Sequence, residues 1–286
     1  EIGTGDWSSD VCSSDLEHEY VSIPSFQDIN FGAHDDFTVE FWAKPSKTQP
    51  YTKNHDNDMV GKWVGIGGYP YFIMYHNQIT DKVGKVTAMR YDGVSKPAVT
   101  SNIRIDDGDF HHIAFVRATE TGTGKLYLYI DGRLHGGPAD DTTTGKTEND
   151  SALYLGRRGD NTANDENFFA GQLGRLRIWQ GALSEEQIKA TMYQTLTGKV
   201  ELRNPAGKVT ATLVGNWCCD EGYGNLAFDH AGGDTGLLGG GNTADEPDWV
   251  VFTFPPRVPT DEMLLARART SDLSEGLKFA EQTLKA

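Results

Sequence analysis

Cysteine is scarce in this chain, with three in 286 residues: Cys12, Cys218 and Cys219. The last two are neighbours, about 3.8 Å apart across a trans peptide and too close for ordinary disulfide geometry. No disulfide framework is legible, and no CxxC spacing marks a zinc site. Long hydrophobic runs are also missing. No segment approaches the roughly 18 consecutive apolar residues that read as a membrane helix, so no membrane insertion is expected. Basic residues are outnumbered, 26 Lys and Arg against 41 Asp and Glu, for a formal net charge of −15. That charge repels phosphate backbones and argues against a nucleic-acid partner. Otherwise an acidic surface is simply a soluble one. Helical periodicity is almost absent. What remains is 37% hydrophobic residues and 33 glycines, the material of a core built from short strands joined by tight turns.

The apolar residues alternate in short runs. In residues 36–44 (DFTVEFWAK), Phe37, Val39, Phe41 and Ala43 share one face, while Thr38, Glu40, Trp42 and Lys44 share the other. Further strands are predicted at 17–24, 59–64, 69–75, 85–91, 101–105, 110–117, 126–130, 152–155, 173–179, 209–219 and 249–254. Residues 110–117 (FHHIAFVR) are apolar on both faces, as in a central strand of a sandwich. Asp131-Gly132 after LYLYI is a type I′ hairpin signal, because both residues tolerate positive φ. One helix is predicted. Ser184 and Gln187 form a capping box, Leu183 can staple to Ile188, and the helix runs to about Leu196 before Gly198. The fold class is therefore an all-β, two-sheet antiparallel sandwich with one short helix.

The two ends read differently. Residues 6–16 (DWSSDVCSSDL) resemble, residue for residue, the translation of a widely used sequencing adapter. Residues 1–16 are accordingly set aside as an artefactual or disordered segment, expected to pack onto nothing. At the other end Pro255, Pro256 and Pro259 interrupt the chain, so 255–286 reads as a linker and truncated helical tail, cleavable near Arg257. The folded domain is expected to span 17–254, as part of a larger multidomain protein.

Four segments in order carry a family resemblance: 37–45 (FTVEFWAKP), 109–117 (DFHHIAFVR), 126–134 (LYLYIDGRL) and 169–184 (FAGQLGRLRIWQGALS). Together they resemble the laminin-G-like domains of the concanavalin A-type jelly rolls. Residues 155–160 (LGRRGD) and 171–179 also look like the pentraxin branch. The resemblance implies a jelly roll that binds glycans or extracellular proteins, with calcium held by loop carboxylates. It also implies a secreted or cell-surface setting. Two of the acids it leads one to expect are missing, at Arg158 and Gly174, and paired cysteines are absent, with Ala114 in place of one. No tight calcium binding is expected.

Each candidate site has a plainer reading beside it. A glucanase on this fold needs two carboxylates about 5–5.5 Å apart. Glu40 stands alone, with Thr38 and Trp42 where partners would be, so no catalysis is expected. His111 and His112 are consecutive, so a strand sends them to opposite faces, and a structural role is preferred. Asp56 and Asp58, with Asn54 and Asn57, make a hard-oxygen loop, and Asp160 and Asp165 make another. These four acids are the weak calcium candidates. Arg158-Gly159-Asp160 spells a cell-attachment tripeptide, but three residues arise easily by chance. Trp63, Tyr69 and Tyr71, with Asp160, are the candidates for ligand contact, because aromatic rings near loops stack on sugar faces. The function expected is a non-catalytic binding or adhesion module for a glycan or extracellular protein. A glycoside hydrolase and a structural spacer are the alternatives.

Overall fold

The computed structural model describes residues 9–14, 19–49, 56–79, 81–159 and 167–252. In chain order its strands are β1 (Ser9–Ser14), β2 (Val21–Ile23), β3 (Phe37–Pro45), β4 (Asn57–Gly61), β5 (Tyr69–Tyr75), β6 (Val86–Tyr91), β7 (Ala98–Thr100), β8 (His111–Glu120) and β9 (Thr123–Ile130). They continue with β10 (Arg133–Asp141), β11 (Leu153–Leu155), β12 (Gly171–Gln180), β13 (Glu201–Arg203), β14 (Val209–Trp217), β15 (Leu226–Ala227), β16 (Gly236–Leu238) and β17 (Asp248–Phe252). One α-helix, α1 (Glu185–Thr191), lies between β12 and β13.

Among the described residues these strands form a nine-stranded and an eight-stranded antiparallel sheet. The first runs β10-β9-β8-β3-β12. Beyond it the free edge of β12 is shared: β1 pairs with Gly171 to Leu173, and β14 pairs with Leu176 to Gln180. The second sheet runs β15-β16-β2-β11-β4-β5-β6-β7. Period-two alternation decides which residues fill the space between. Val39, Ile113, Phe115 and Ile178 meet Val60, Tyr71, Ile73 and Val86 there, all but excluded from solvent. The β9–β10 hairpin turns at Asp131 (φ 52°) and Gly132 (φ 72°), the two left-handed residues of a type I′ turn.

The outer face of the nine-stranded sheet is covered too. Ala114, Val116, Trp179, Ala211 and Leu213 pack under Leu183, Ile188 and Leu196. Ser184 and Gln187 form the expected capping box. The helix ends at Thr191, however, and not near Leu196. The physical reason lies beneath it. Arg177 donates to the carbonyls of Thr191 and Gln194, and Trp42 Nε1 donates to that of Met192 at 3.2 Å. Carbonyls that a longer helix would use are turned down onto the sheet.

The segment at 1–16 requires a correction. Ser9–Ser14 form β1, hydrogen-bonded between β12 and β17, with Cys12 opposite both Leu173 and Trp249. A strand ladder uses main-chain groups that every non-proline residue carries, so a polar segment can extend an open edge as an apolar one does. The described residues fall in one unit, Glu1–Thr253. The expected linker and helical tail at 255–286 lies outside the described residues.

Candidate functional site

Glu40 belongs to the face of β3 that α1 covers, and it is 0% exposed. Its Oε1 accepts from Trp179 Nε1 at 2.9 Å and lies 3.6 Å from Arg177; its Oε2 lies 3.3 Å from His112 Nε2. Desolvation alone would push this carboxyl up, but His112, Arg177 and Trp179 together outweigh it and hold Glu40 below the ordinary carboxylate range. A catalytic acid needs the opposite shift and an open face. Glu40 instead neutralises the arginine that anchors the end of α1.

The adjacent histidines separate as strand geometry requires. His112 is buried beside Glu40, while His111 bridges Asp131 Oδ2 at 2.8 Å and Asp107 Oδ1 at 3.0 Å. Burial lowers the imidazole pKa, but the two carboxylates outweigh burial and raise it to about 9. The contribution of His111 to stability is therefore full below its unfolded value of about 6.5 and lost as pH rises through about 9. Chemical denaturation of His111→Gln across pH 6–10 should show a flatter stability profile than the parent over that window. Identical profiles would show that the bridge contributes nothing.

The aromatic candidates gather at one end of the eight-stranded sheet, on its outer face. Tyr69, Phe72 and Met74 pack there with Trp63, Met89 and Tyr91. Strict alternation would put Tyr69 with Tyr71. The β5–β6 pairing is irregular between Tyr69 and Phe72, and this turns Tyr69 outward while Tyr71 stays in the core. Tyr71 is fully buried, its hydroxyl donating to the Ile29 carbonyl at 3.1 Å. It is thereby removed as a ligand contact. Tyr69 is buried as well and supports the patch from below; Trp63 and Tyr91 are half-buried.

Arg158 sits on this cluster, 5.2 Å over the Trp63 ring and 5.3 Å over that of Phe72. Asp56 and Asp58, two apart along one chain direction, share a face and both reach it. Arg158 Nε donates to Asp58 at 2.6 Å and its NH2 to Asp56 at 2.9 Å, while Asn167 donates to the same Asp56 oxygen. Burial pushes both carboxyls up, Asp58 to about 8, while the shared guanidinium pulls them back. This corrects the calcium candidates at Asp56 and Asp58. Their oxygens face a fixed cation, and a divalent ion would have to displace it. The same contacts correct the cell-attachment reading, since Arg158 points into the protein and Gly159 is buried. Asp160 and Asp165 lie outside the described residues.

Sequence reasoning missed the rim of this site. Ile66 on the loop before β5 and Val94 on the turn after β6 are 97% and 90% exposed. Antiparallel pairing of Tyr69 with Tyr91 brings both loops to the same end. The turn is braced, because Asp92 Oδ1 accepts from the amides of Val94 and Ser95, and Oδ2 from those of Thr144 and Gly145. Only pairing across strands reveals this grouping.

Two antiparallel sheets, a helix-capped outer face and an aromatic end define a lectin-type sandwich. Residues 15–189 match the laminin-G-type model of the concanavalin A-like lectin/glucanases superfamily, and the chain belongs to that family. A stretch of 97 residues is 33% identical to the mouse sushi, von Willebrand factor type A, EGF and pentraxin domain-containing protein 1. The rat protein of that name is 32% identical over 98 residues. These matches span 33% of this chain and only 3% of either relative. Among solved structures, a candidate carbohydrate-binding protein of Bacteroides ovatus superposes with a TM-score of 0.55 at 17% identity. The superposition covers 87% of this chain and 60% of that one, a likeness of fold.

Proposed function

We propose that this domain is a non-catalytic glycan-binding module of an extracellular, multidomain protein. The observation that carries the reading is the half-buried Trp63, held by Arg158 beside Asp56 on a rigid sheet. A pyranose buries its apolar face against an aromatic ring and offers hydroxyls to nearby charged groups. The exposed Ile66 and Val94 flank the approach. The carbohydrate-binding candidate among the solved structures supports the choice of ligand class, although one fold hosts many functions. The absence of catalysis is argued from Glu40, which is enclosed and already paired. An extracellular setting is argued from the family, and a multidomain one from the short match to a much longer relative. Among the described residues no helix is long and apolar enough to cross a membrane.

A glycan array probed with the full chain, followed by titration calorimetry on the best ligand, tests this directly. Trp63→Ala should weaken binding by about tenfold or more, roughly 1.4 kcal/mol, with the fold intact by circular dichroism. An array with no retained glycan, or an affinity that Trp63→Ala leaves unchanged, refutes the reading. So does release of reducing sugar from a β-glucan that is lost on Glu40→Gln.

A further inference from the structure

A second cluster of chemically capable side chains lies away from the aromatic end, where β14 gives way to its following loop. Cys218 Sγ, one carboxylate oxygen of Asp220 and a ring nitrogen of His230 all lie within 4.8 Å of one another. His230 Nε2 and Asp220 Oδ1 are 3.8 Å apart. A tetrahedral zinc ion spaces such donors roughly 3.3–3.7 Å apart, given its usual bond lengths of about 2.0–2.3 Å. A contraction of at most about 1.5 Å closes the triangle. From this geometry we propose that Cys218, Asp220 and His230 form a zinc site.

Two independent features support it. The Nε2 of His230 is buried and has no hydrogen-bond partner. Buried polar atoms left unmet in this way are uncommon in folded proteins. The ligand-bearing backbone is also built in advance. His230 N donates to the Asn216 carbonyl at 2.8 Å, and the His230 carbonyl accepts from Gly198 N at 2.7 Å. Asp229 Oδ1 accepts from the amides of Asn216 and Ala231. Cys219, with φ 55°, is the left-handed residue between Cys218 and Asp220.

The donor set selects the metal. Sulfur and imidazole disfavour calcium and magnesium, and mixed N, O and S donors suit tetrahedral zinc. Arg175, which interacts with Cys218, offsets part of the negative charge that the thiolate and carboxylate bring. Zinc takes cysteine as thiolate, so binding releases the thiol proton into solvent. The bound ion would fasten the loop between Cys218 and His230 to the end of β14. No aromatic-patch residue takes part, so the site stands apart from glycan binding.

The test uses the full chain, reduced and stripped with a chelator. Zinc titrated against a chromophoric competitor should bind at one equivalent and raise the melting temperature. Cobalt in its place should give thiolate-to-metal charge-transfer absorption together with the visible bands of a tetrahedral ion. Cys218→Ser should abolish the charge-transfer band, and His230→Gln should weaken zinc binding at least tenfold. Cys219→Ser and Cys12→Ser should leave both intact. His230 is partly exposed, so its variant keeps the test valid if Cys218→Ser fails to fold. No zinc retained, or binding and charge-transfer bands that survive both Cys218→Ser and His230→Gln, overturns the proposal.

Discussion

Glu40→Ala is expected to lower the unfolding free energy by about 3–5 kcal/mol, the usual effect of removing one partner from a buried ion pair. The loss arises because Arg177 remains, 2% exposed, with its counter-charge gone, and the buried His112 loses the carboxylate beside it. Arg177 also holds the carbonyls at the end of α1, so the defect should spread to the helix and its cover over Trp179. Urea denaturation followed by tryptophan fluorescence measures it. Acid dependence gives a second reading. The folded Glu40 titrates below its ordinary value, so its contribution is present above about pH 4.3 and lost as pH falls through the lower folded value. Glu40→Gln should therefore lose less stability than the parent between about pH 4.3 and that lower value. A stability change under about 1 kcal/mol, with parallel acid profiles, would show that Glu40 carries no structural charge.

Arg158→Ala is the second large effect, again about 3–5 kcal/mol at pH 10. Asp58 is completely buried, and without the guanidinium its carboxylate has neither water nor a partner ion. Desolvation already raises it to about 8 with Arg158 present, and removing the arginine raises it further. A carboxyl raised in the folded state costs stability as pH climbs from its unfolded value towards its folded one; parent and variant share that loss up to about pH 8, so the defect should grow from pH 8 to pH 10, where only the parent's Asp58 ionises. The parent should melt at the same temperature in millimolar calcium and in chelator, because Arg158 already engages the oxygens of Asp56 and Asp58. Thermal melts of both proteins at the two pH values, with and without calcium, decide these points. A defect that does not depend on pH, or a calcium shift of many degrees in the parent, contradicts the account.

These effects fall on residues whose types were plain in the sequence but whose partners were not. Arg158 stood out as a basic residue where an acid was expected, and that was enough to argue against calcium. Its pairing with Asp56 and Asp58 joins positions about a hundred residues apart. Glu40 was legible as a lone strand-face carboxylate, while its enclosure by Trp179 and Arg177 required β12 to lie beside β3. The metal-type donors show the same limit. Cys218 and Asp220 are two residues apart and unlike any CxxC spacing, and His230 joins them through the bridge of Trp217 to Asp229.

The sequence by itself determined the class of fold, the strands β3, β5, β8, β9 and β12, the Asp131-Gly132 hairpin and the capped start of α1. Each follows from period-two burial, turn chemistry or capping, which are written within a few neighbouring residues. Tertiary structure alone decided the rest. An irregular pairing in β5 parted Tyr69 from Tyr71, and the short strands β13, β15 and β16 appeared only where β14, β16 and β2 offered edges. The end of α1 was set by an arginine on another strand. Register, edge pairing and buried charge partners depend on groups brought together from distant positions, so no local pattern of residues encodes them.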